Sequence, residues 1–175
     1  MGDGQPHQRE TDRPGRSDRA GKGKVETVKK LFIDGSAGTT GLRIAQRLAG
    51  RTELQRIVLS ETQRKCSAAR ARALNEADIA ILCLPDAAAR EAVSWIENPD
   101  TVVLDTSTAH RTAPGWAYGF PELSAAHAAA LRTAKRIAVP GCHASGFIAL
   151  TAPLVAAGIL PRGTQLSCFS LTGYS

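Results

Sequence analysis

Leu31-Phe32-Ile33-Asp34-Gly35-Ser36-Ala37-Gly38-Thr39-Thr40-Gly41 is the stretch that decides the fold. A short apolar run with strand character meets a glycine turn, and Leu42, Ala45, Leu48 and Ala49 then recur at helical spacing until Gly50 stops the pattern. Strand, glycine turn and helix in that order form the opening unit of a parallel α/β sheet. Glycines there let the backbone bend sharply and approach a ligand without a Cβ clash, and the helix N-terminus offers N–H groups and a positive dipole end to a pyrophosphate. The spacing is G-x-x-G-x-x-G, through Gly35, Gly38 and Gly41, rather than the commoner G-x-G-x-x-G. With Ser36, Ala37, Thr39 and Thr40 these residues are expected to bind a dinucleotide. The alternative is a turn that serves packing alone.

The same rhythm continues beyond the turn. Ile57-Val58-Leu59 reads as a second strand, Ser67 to Leu74 as a helix, Ile79 to Leu84 as a third strand, Ala87 to Ile96 as a helix and Thr101 to Leu104 as a fourth strand. Asp105 to Glu122 is polar and irregular, with Pro114, Gly115, Gly119 and Pro121, and long irregular stretches in compact folds are often functional. An Ala-rich helix from Ser124 to Thr133, a strand at Ile137 and a helix opening at Cys142 follow, and from Gln165 the pattern turns strand-like. Alternating strands and helices predict an α/β fold with a doubly wound, mostly parallel, Rossmann-like sheet covered on both faces.

Length and charge narrow the classes. The chain has 175 residues, 43% hydrophobic and 22% charged, and no apolar run approaches the ~20 residues needed to cross a bilayer. Residues 1–30 hold eight Lys or Arg against five Asp or Glu, half of the formal charge of +6, in a segment almost devoid of apolar side chains. That composition predicts a disordered N-terminal extension over 1–29 rather than a signal or transit peptide, and cytoplasmic residence as the default. Aromatic residues are 5% of the chain, so no base-stacking surface and no nucleic-acid partner are expected. Cys66, Cys83, Cys142 and Cys168 are widely spaced without a C-x-x-C pair, which predicts neither a metal site nor a disulfide framework. Cys83, inside an apolar run, and Cys168, in a strand-like segment, read as packing residues, and Cys66 as exposed.

Three further stretches carry chemistry. Ser60-Glu61-Thr62-Gln63-Arg64-Lys65 lies where the second strand of such folds meets the adenosine ribose. Glu61 suits a free 2′-hydroxyl, whereas Ser60, Arg64 and Lys65 suit a 2′-phosphate, and the basic pair tilts the reading toward NADP. Asp105-Thr106-Ser107-Thr108-Ala109-His110-Arg111 starts where the fourth strand ends, on the edge where ligands bind. Ser107 hydroxyl and the Arg111 guanidinium would suit an anionic substrate, although a hydrogen-bonded turn fits equally. Val139-Pro140-Gly141-Cys142-His143-Ala144-Ser145-Gly146 places a thiol at a helix start, where free N–H groups and the helix dipole favour thiolate over thiol. A reactive nucleophile and an inert packing cysteine are both compatible with that position. His143 is adjacent, but neighbouring helical residues point about 100° apart, so it is a supporting residue rather than the base for Cys142. His110 and His127 carry no independent signal.

These motifs resemble the short form of N-acetyl-gamma-glutamyl-phosphate reductase, a family of arginine biosynthesis. The likeness runs through Phe32 to Gly41, Asp105 to Arg111, Tyr118-Gly119-Phe120-Pro121-Glu122-Leu123, Pro140 to Gly146 and Ser170-Leu171-Thr172-Gly173-Tyr174-Ser175. The resemblance implies that Cys142 attacks an acyl phosphate, expels phosphate and forms a thioester, which NADPH reduces to the semialdehyde. It also implies homo-oligomers and a small-molecule partner. The family's catalytic histidine lies in a later segment, so none of the four histidines here takes that role. An NADP-binding domain over 30–141 and the start of an incomplete α/β catalytic domain over 142–175 are expected, as a fragment with impaired activity. A related aspartate-semialdehyde-type dehydrogenase and a non-catalytic dinucleotide-binding module are the alternatives.

Overall fold

The computed structural model describes residues 27–171 together with Met1. The expectation for the N-terminal extension therefore lies almost wholly outside the described residues, as does the motif from Thr172 to Ser175. Six strands form one parallel sheet: β1 (Lys29–Asp34), β2 (Leu54–Ile57), β3 (Ile79–Leu82), β4 (Val102–Asp105), β5 (Ala117–Tyr118) and β6 (Arg136–Ala138). Their spatial order is β2-β1-β3-β4-β6-β5. From β1 the chain winds outward to β2, then returns past β1 to β3. The crevice at the carboxyl ends of β1 and β3 is thus a topological switch point, the place where such sheets bind ligands.

Alternation along β1 explains the two-sided burial. Leu31 and Ile33 pack with Ala45 and Ile81 on the face covered by α1 (Thr39–Arg47). Phe32 points the other way, into a cluster with Ala73, Leu74, Leu82, Ala92 and Val103 beneath α3 (Ser67–Glu76) and α4 (Asp86–Ser94). A strand buried on both faces reads as a continuous apolar run, which is what Leu31 to Ile33 presented in the sequence. The doubly wound reading holds.

Local differences have physical causes. The second strand starts at Leu54 and ends at Ile57, leaving Val58 exposed, because Lys29 and Lys30 extend β1 backward and pair with Leu54 and Gln55. A one-turn helix, α2 (Glu61–Arg64), follows the second strand and carries Arg64. The irregular stretch after β4 hides β5, whose two residues pair with Ile137 and Ala138 and take their register from β6 rather than from any local pattern. A 3-10 turn (Pro121–Leu123) and α5 (Ala125–Thr133) return the chain to the sheet, with Ser124 capping α5 through the His127 amide.

Beyond the sheet lies α6 (Cys142–Ala156), and none of its residues is buried. Leu150 is 75% exposed and Phe147, Leu154 and Val155 are exposed as well, while Ile148 and Ala152 on another side are half-buried and share a depression with Phe120 and Leu123. The strand expected from Gln165 does not form. Residues 165–171 have no regular structure and are exposed, so Cys168 is exposed rather than packed, and among the described residues no strand pairs with it.

Candidate functional site

Each glycine of the first turn has its own geometry. Gly35 sits at φ +83°, and a Cβ there would stand 2.2 Å from the carbonyl oxygen of Cys83. At Gly41 a Cβ would stand 2.4 Å from the carbonyl oxygen of Gly35, so helix and turn pack backbone to backbone. Gly38 differs: its nearest neighbour would be 3.5 Å away, in ordinary contact. It is the N-cap of α1, and no side chain caps that end. Thr39, Thr40 and Gly41 therefore begin a helix with N–H groups that lack intrahelical acceptors. Uncapped donors, an exposed glycine and the positive helix end together fit a pyrophosphate.

A cleft of about 360 Å³ adjoins this turn, walled by Asp34 to Ala37 on one side and by Ile57 to Leu59 and α2 on the other. Four cations line it: Arg56, Arg64, Lys65 and Arg70. Arg70 is committed to structure, since its guanidinium donates to both carboxylate oxygens of buried Asp34 (2.9–3.2 Å) and lies 4.9 Å from the Trp95 ring centroid. Lys65 lies 3.9 Å from Glu61. Arg56 and Arg64 have no ion-pair partner among the described residues, so their charge remains available to a ligand. Ser60 caps α2 by a reciprocal box with Gln63, accepting from its amide and donating its own amide to the side-chain oxygen. That box fixes Arg64 one turn away.

The thiol occupies a second depression, formed by Thr40, Ile44, Thr106, Arg111, Val139 and the residues 140–144. Cys142 is exposed in the first turn of α6, directly after the N-cap Gly141. Thr40, from the glycine turn, lines this space as well. Arg111 anchors the floor: its Nε donates to the Val139 carbonyl (3.1 Å) and its Nη2 to the Thr106 carbonyl (3.3 Å). A Cβ at Gly141 would stand 2.5 Å from Arg111 Nη1, so the glycine admits the guanidinium against the backbone beside the cysteine. Two backbone carbonyls use part of the donor fork, and Nη1, beside Gly141, has its hydrogens unclaimed by any described side chain or carbonyl.

The loop that carries Arg111 is built around a buried carboxylate. Asp105 accepts from the Ser107 amide (3.0 Å) and hydroxyl (2.7 Å) and lies 2.6 Å from His110 Nδ1, while the His110 ring stacks on Trp116 at 4.1 Å. The Ser107 hydroxyl also accepts from the Ala109 amide (3.1 Å), so it is engaged inside the loop, and Ser107 does not line the depression that Arg111 lines. Asp86, at the start of α4, accepts from the amide and hydroxyl of Thr108. Those bonds, the hydroxyl first, hold the Asp86 carboxyl below the ordinary carboxylate range. A lowered value means that the tether is complete above that range and is lost as pH falls through the lowered value. We expect the Thr108 amide resonance to titrate on acidification below the ordinary aspartate range, and to show no such step in Asp86→Asn.

The structure thus brings Thr40, Arg111 and Cys142 to one depression and Gly35 to Ala37 with Arg64 to the neighbouring cleft. It separates Ser107 from both. His143 lines the depression beside Cys142 and meets the Ser170 hydroxyl through Nδ1. Cys83 is half-buried, and burial pushes its thiol up, reinforced by Asp34 and Asp105. Sequence reasoning missed Arg56, the Asp34–Arg70 pair and the His110–Asp105 contact. Arg56 sits on a strand edge with no motif around it, and the other two join residues whose partner is known only after folding.

A family model described as semialdehyde dehydrogenase, NAD binding domain, matches residues 60–131, from the cap of α2 to α5. Solved structures similar in fold include an aspartate semialdehyde dehydrogenase II from Vibrio cholerae complexed with ASA (TM-score 0.56, 16% identity, 74% of this chain and 43% of that one). The aspartate semialdehyde dehydrogenase of Francisella tularensis is another (TM-score 0.56, 14% identity, 74% and 41%). Fold and switch point define a Rossmann-like α/β protein, and residues 60–131 of it match the NAD-binding domain of semialdehyde dehydrogenases. Sequence is more specific. The N-acetyl-gamma-glutamyl-phosphate reductase of Burkholderia lata is 54% identical over 145 residues, covering 83% of this chain and 46% of the relative. The N-acetyl-gamma-glutamyl-phosphate reductase 2 of Pseudomonas putida is 52% identical over 145 residues, with the same shares. The chain is a homologue of the N-acetyl-gamma-glutamyl-phosphate reductases and spans about half the length of the curated relatives it matches.

Proposed function

We propose that this chain supplies the cofactor-binding and nucleophile-bearing part of an NADPH-dependent reduction of N-acetyl-gamma-glutamyl phosphate to the corresponding semialdehyde. One observation carries this reading: Cys142 and Thr40 line the same depression, so an exposed thiol stands beside the uncapped helix start of the glycine turn. The turn from Gly35 to Gly41 would hold the pyrophosphate, and Ser60, Arg64 and the neighbouring Arg56 would face a 2′-phosphate. When bound, the dinucleotide supplies a hydride. The chain's own residues do the rest. Cys142 sulfur attacks the acyl carbon, the bond to phosphate oxygen breaks, and phosphate leaves as the thioester forms. Arg111, already fixed by two carbonyls, offers Nη1 to the departing anion, a charge-assisted contact that strengthens as charge develops.

Binding tests the cofactor half. Fluorescence titration is expected to give tighter binding of NADPH than of NADH, and Arg64→Ala should weaken NADPH by about tenfold while leaving NADH nearly unchanged. Equal affinity for the two nucleotides in the wild-type chain would remove the 2′-phosphate reading. Acylation tests the other half: N-acetylglutamyl phosphate should add its acyl group to Cys142 faster than aspartyl phosphate does, whereas the reverse order would favour an aspartate-semialdehyde-type substrate.

A further inference from the structure

Two free thiols line one groove. It runs between the first turns of α6 and the segment after residue 167, and its walls include Cys142, His143, Phe147, Cys168 and Ser170. Both cysteines are exposed. The segment is fastened to α6 where the Ser170 hydroxyl meets His143 Nδ1. Cys168 and Ser170 line that groove together, on the side that meets α6. Residues 165–171 make no backbone–backbone hydrogen bond among the described residues, so a shift of Cys168 toward α6 breaks no helix or sheet ladder. The remaining cysteines lie elsewhere: Cys66 caps α3, and Cys83 is half-buried in the sheet with its thiol pushed up by burial.

We propose that Cys142 and Cys168 form a reversible oxidation site, in which a hydroperoxide converts the two thiols into an intramolecular disulfide. In the first step Cys142 sulfur attacks one oxygen of hydrogen peroxide. The O–O bond breaks, an S–O bond forms, and the displaced hydroxide takes up the thiol proton and leaves as water. Cys168 sulfur then attacks Cys142 sulfur. The S–S bond forms, the S–O bond breaks, and a second water leaves with the proton from Cys168. Two thiols are oxidised by two electrons in all, and the peroxide is reduced to two waters. The disulfide protects Cys142 from further, irreversible oxidation and masks the sulfur that would accept the acyl group. That last consequence rests on the proposed function; the disulfide does not.

The full chain is exposed to hydrogen peroxide, its remaining thiols are alkylated, and proteolytic fragments are analysed by mass spectrometry without reduction. The expected product joins the fragment holding Cys142 to the one holding Cys168, lighter by two hydrogens, with Cys66 and Cys83 alkylated and the link undone by dithiothreitol. Cys168→Ser should lose the link and leave Cys142 as a sulfenic acid that dimedone captures. A link from Cys142 to Cys66 or Cys83, a link between two chains, or Cys142 carried to sulfinic acid with no link in the wild-type chain would overturn the proposal. A separate arm offers N-acetylglutamyl phosphate to the reduced and oxidised chains, with acylation expected only in the reduced one. If the link forms and the reduced chain also refuses the acyl group, the acyl-transfer reading fails while the oxidation site stands.

Discussion

Cys142→Ser is expected to abolish covalent uptake of the acyl group from N-acetylglutamyl phosphate, with a rate loss on the order of 10³-fold or more. A serine hydroxyl is nearly the same size, so the exposed helix start tolerates it, but an alcohol at that place has far weaker nucleophilicity than sulfur. NADPH affinity should stay within about twofold of wild type, because among the described residues no backbone hydrogen bond joins Cys142 to the glycine turn. Intact mass after mixing with the acyl phosphate reads the result. Acyl addition that persists in Cys142→Ser, carried by Cys66 or Cys168, would show that the thiol in the shared depression is not the acceptor.

The glycine turn separates stability from binding, residue by residue. Gly35→Ala combines a left-handed φ of +83° with a Cβ 2.2 Å from the Cys83 carbonyl oxygen, and Gly41→Ala drives a Cβ to 2.4 Å from the Gly35 carbonyl oxygen. Both collisions are with backbone, which cannot swing aside as a long side chain can. Each substitution is expected to cost about 3 kcal/mol or more, by strain and overpacking, and to lower the denaturant midpoint accordingly. Gly38→Ala meets nothing closer than 3.5 Å and should leave the midpoint almost unchanged. The same Cβ would stand over the uncapped donors of α1, so dinucleotide affinity should fall by about tenfold. Equal loss of stability at all three positions would mean that the turn serves packing alone.

Short-range pattern carried most of this far. The run from Leu31 to Ile33, the glycine turn and the helix beginning at Thr39 are encoded within a dozen residues, and their structure follows the reading closely. Cys142 was likewise placed at a helix start by Pro140-Gly141 and the periodicity after it, and it is the first residue of α6. The segment from Gln165 was misread because apolar residues alone suggest a strand only where an edge is free to pair with it. β5 was missed for the complementary reason: two residues hold no period, and only β6 gives them a ladder.

Site residues divide the same way. Arg111 was legible as a cation at the end of β4, but its seat against Gly141 depends on two segments thirty residues apart meeting at the sheet edge. Ser107 was legible as a hydroxyl in the right loop, and the buried Asp105 turned it inward, because an ionised carboxylate removed from water needs donors to satisfy it.

The amino-acid order by itself determined the alternation of strand and helix, the glycine turn at the first crossover and the thiol at the start of a helix, since each depends on dihedral preference and period over neighbouring residues. Tertiary structure alone decided that Arg70 belongs to Asp34, that His110 closes on Asp105, and that Cys142 shares one depression with Thr40 and one groove with Cys168. Those pairings join side chains far apart in the chain, and packing of the sheet, not local pattern, sets which of them come within reach.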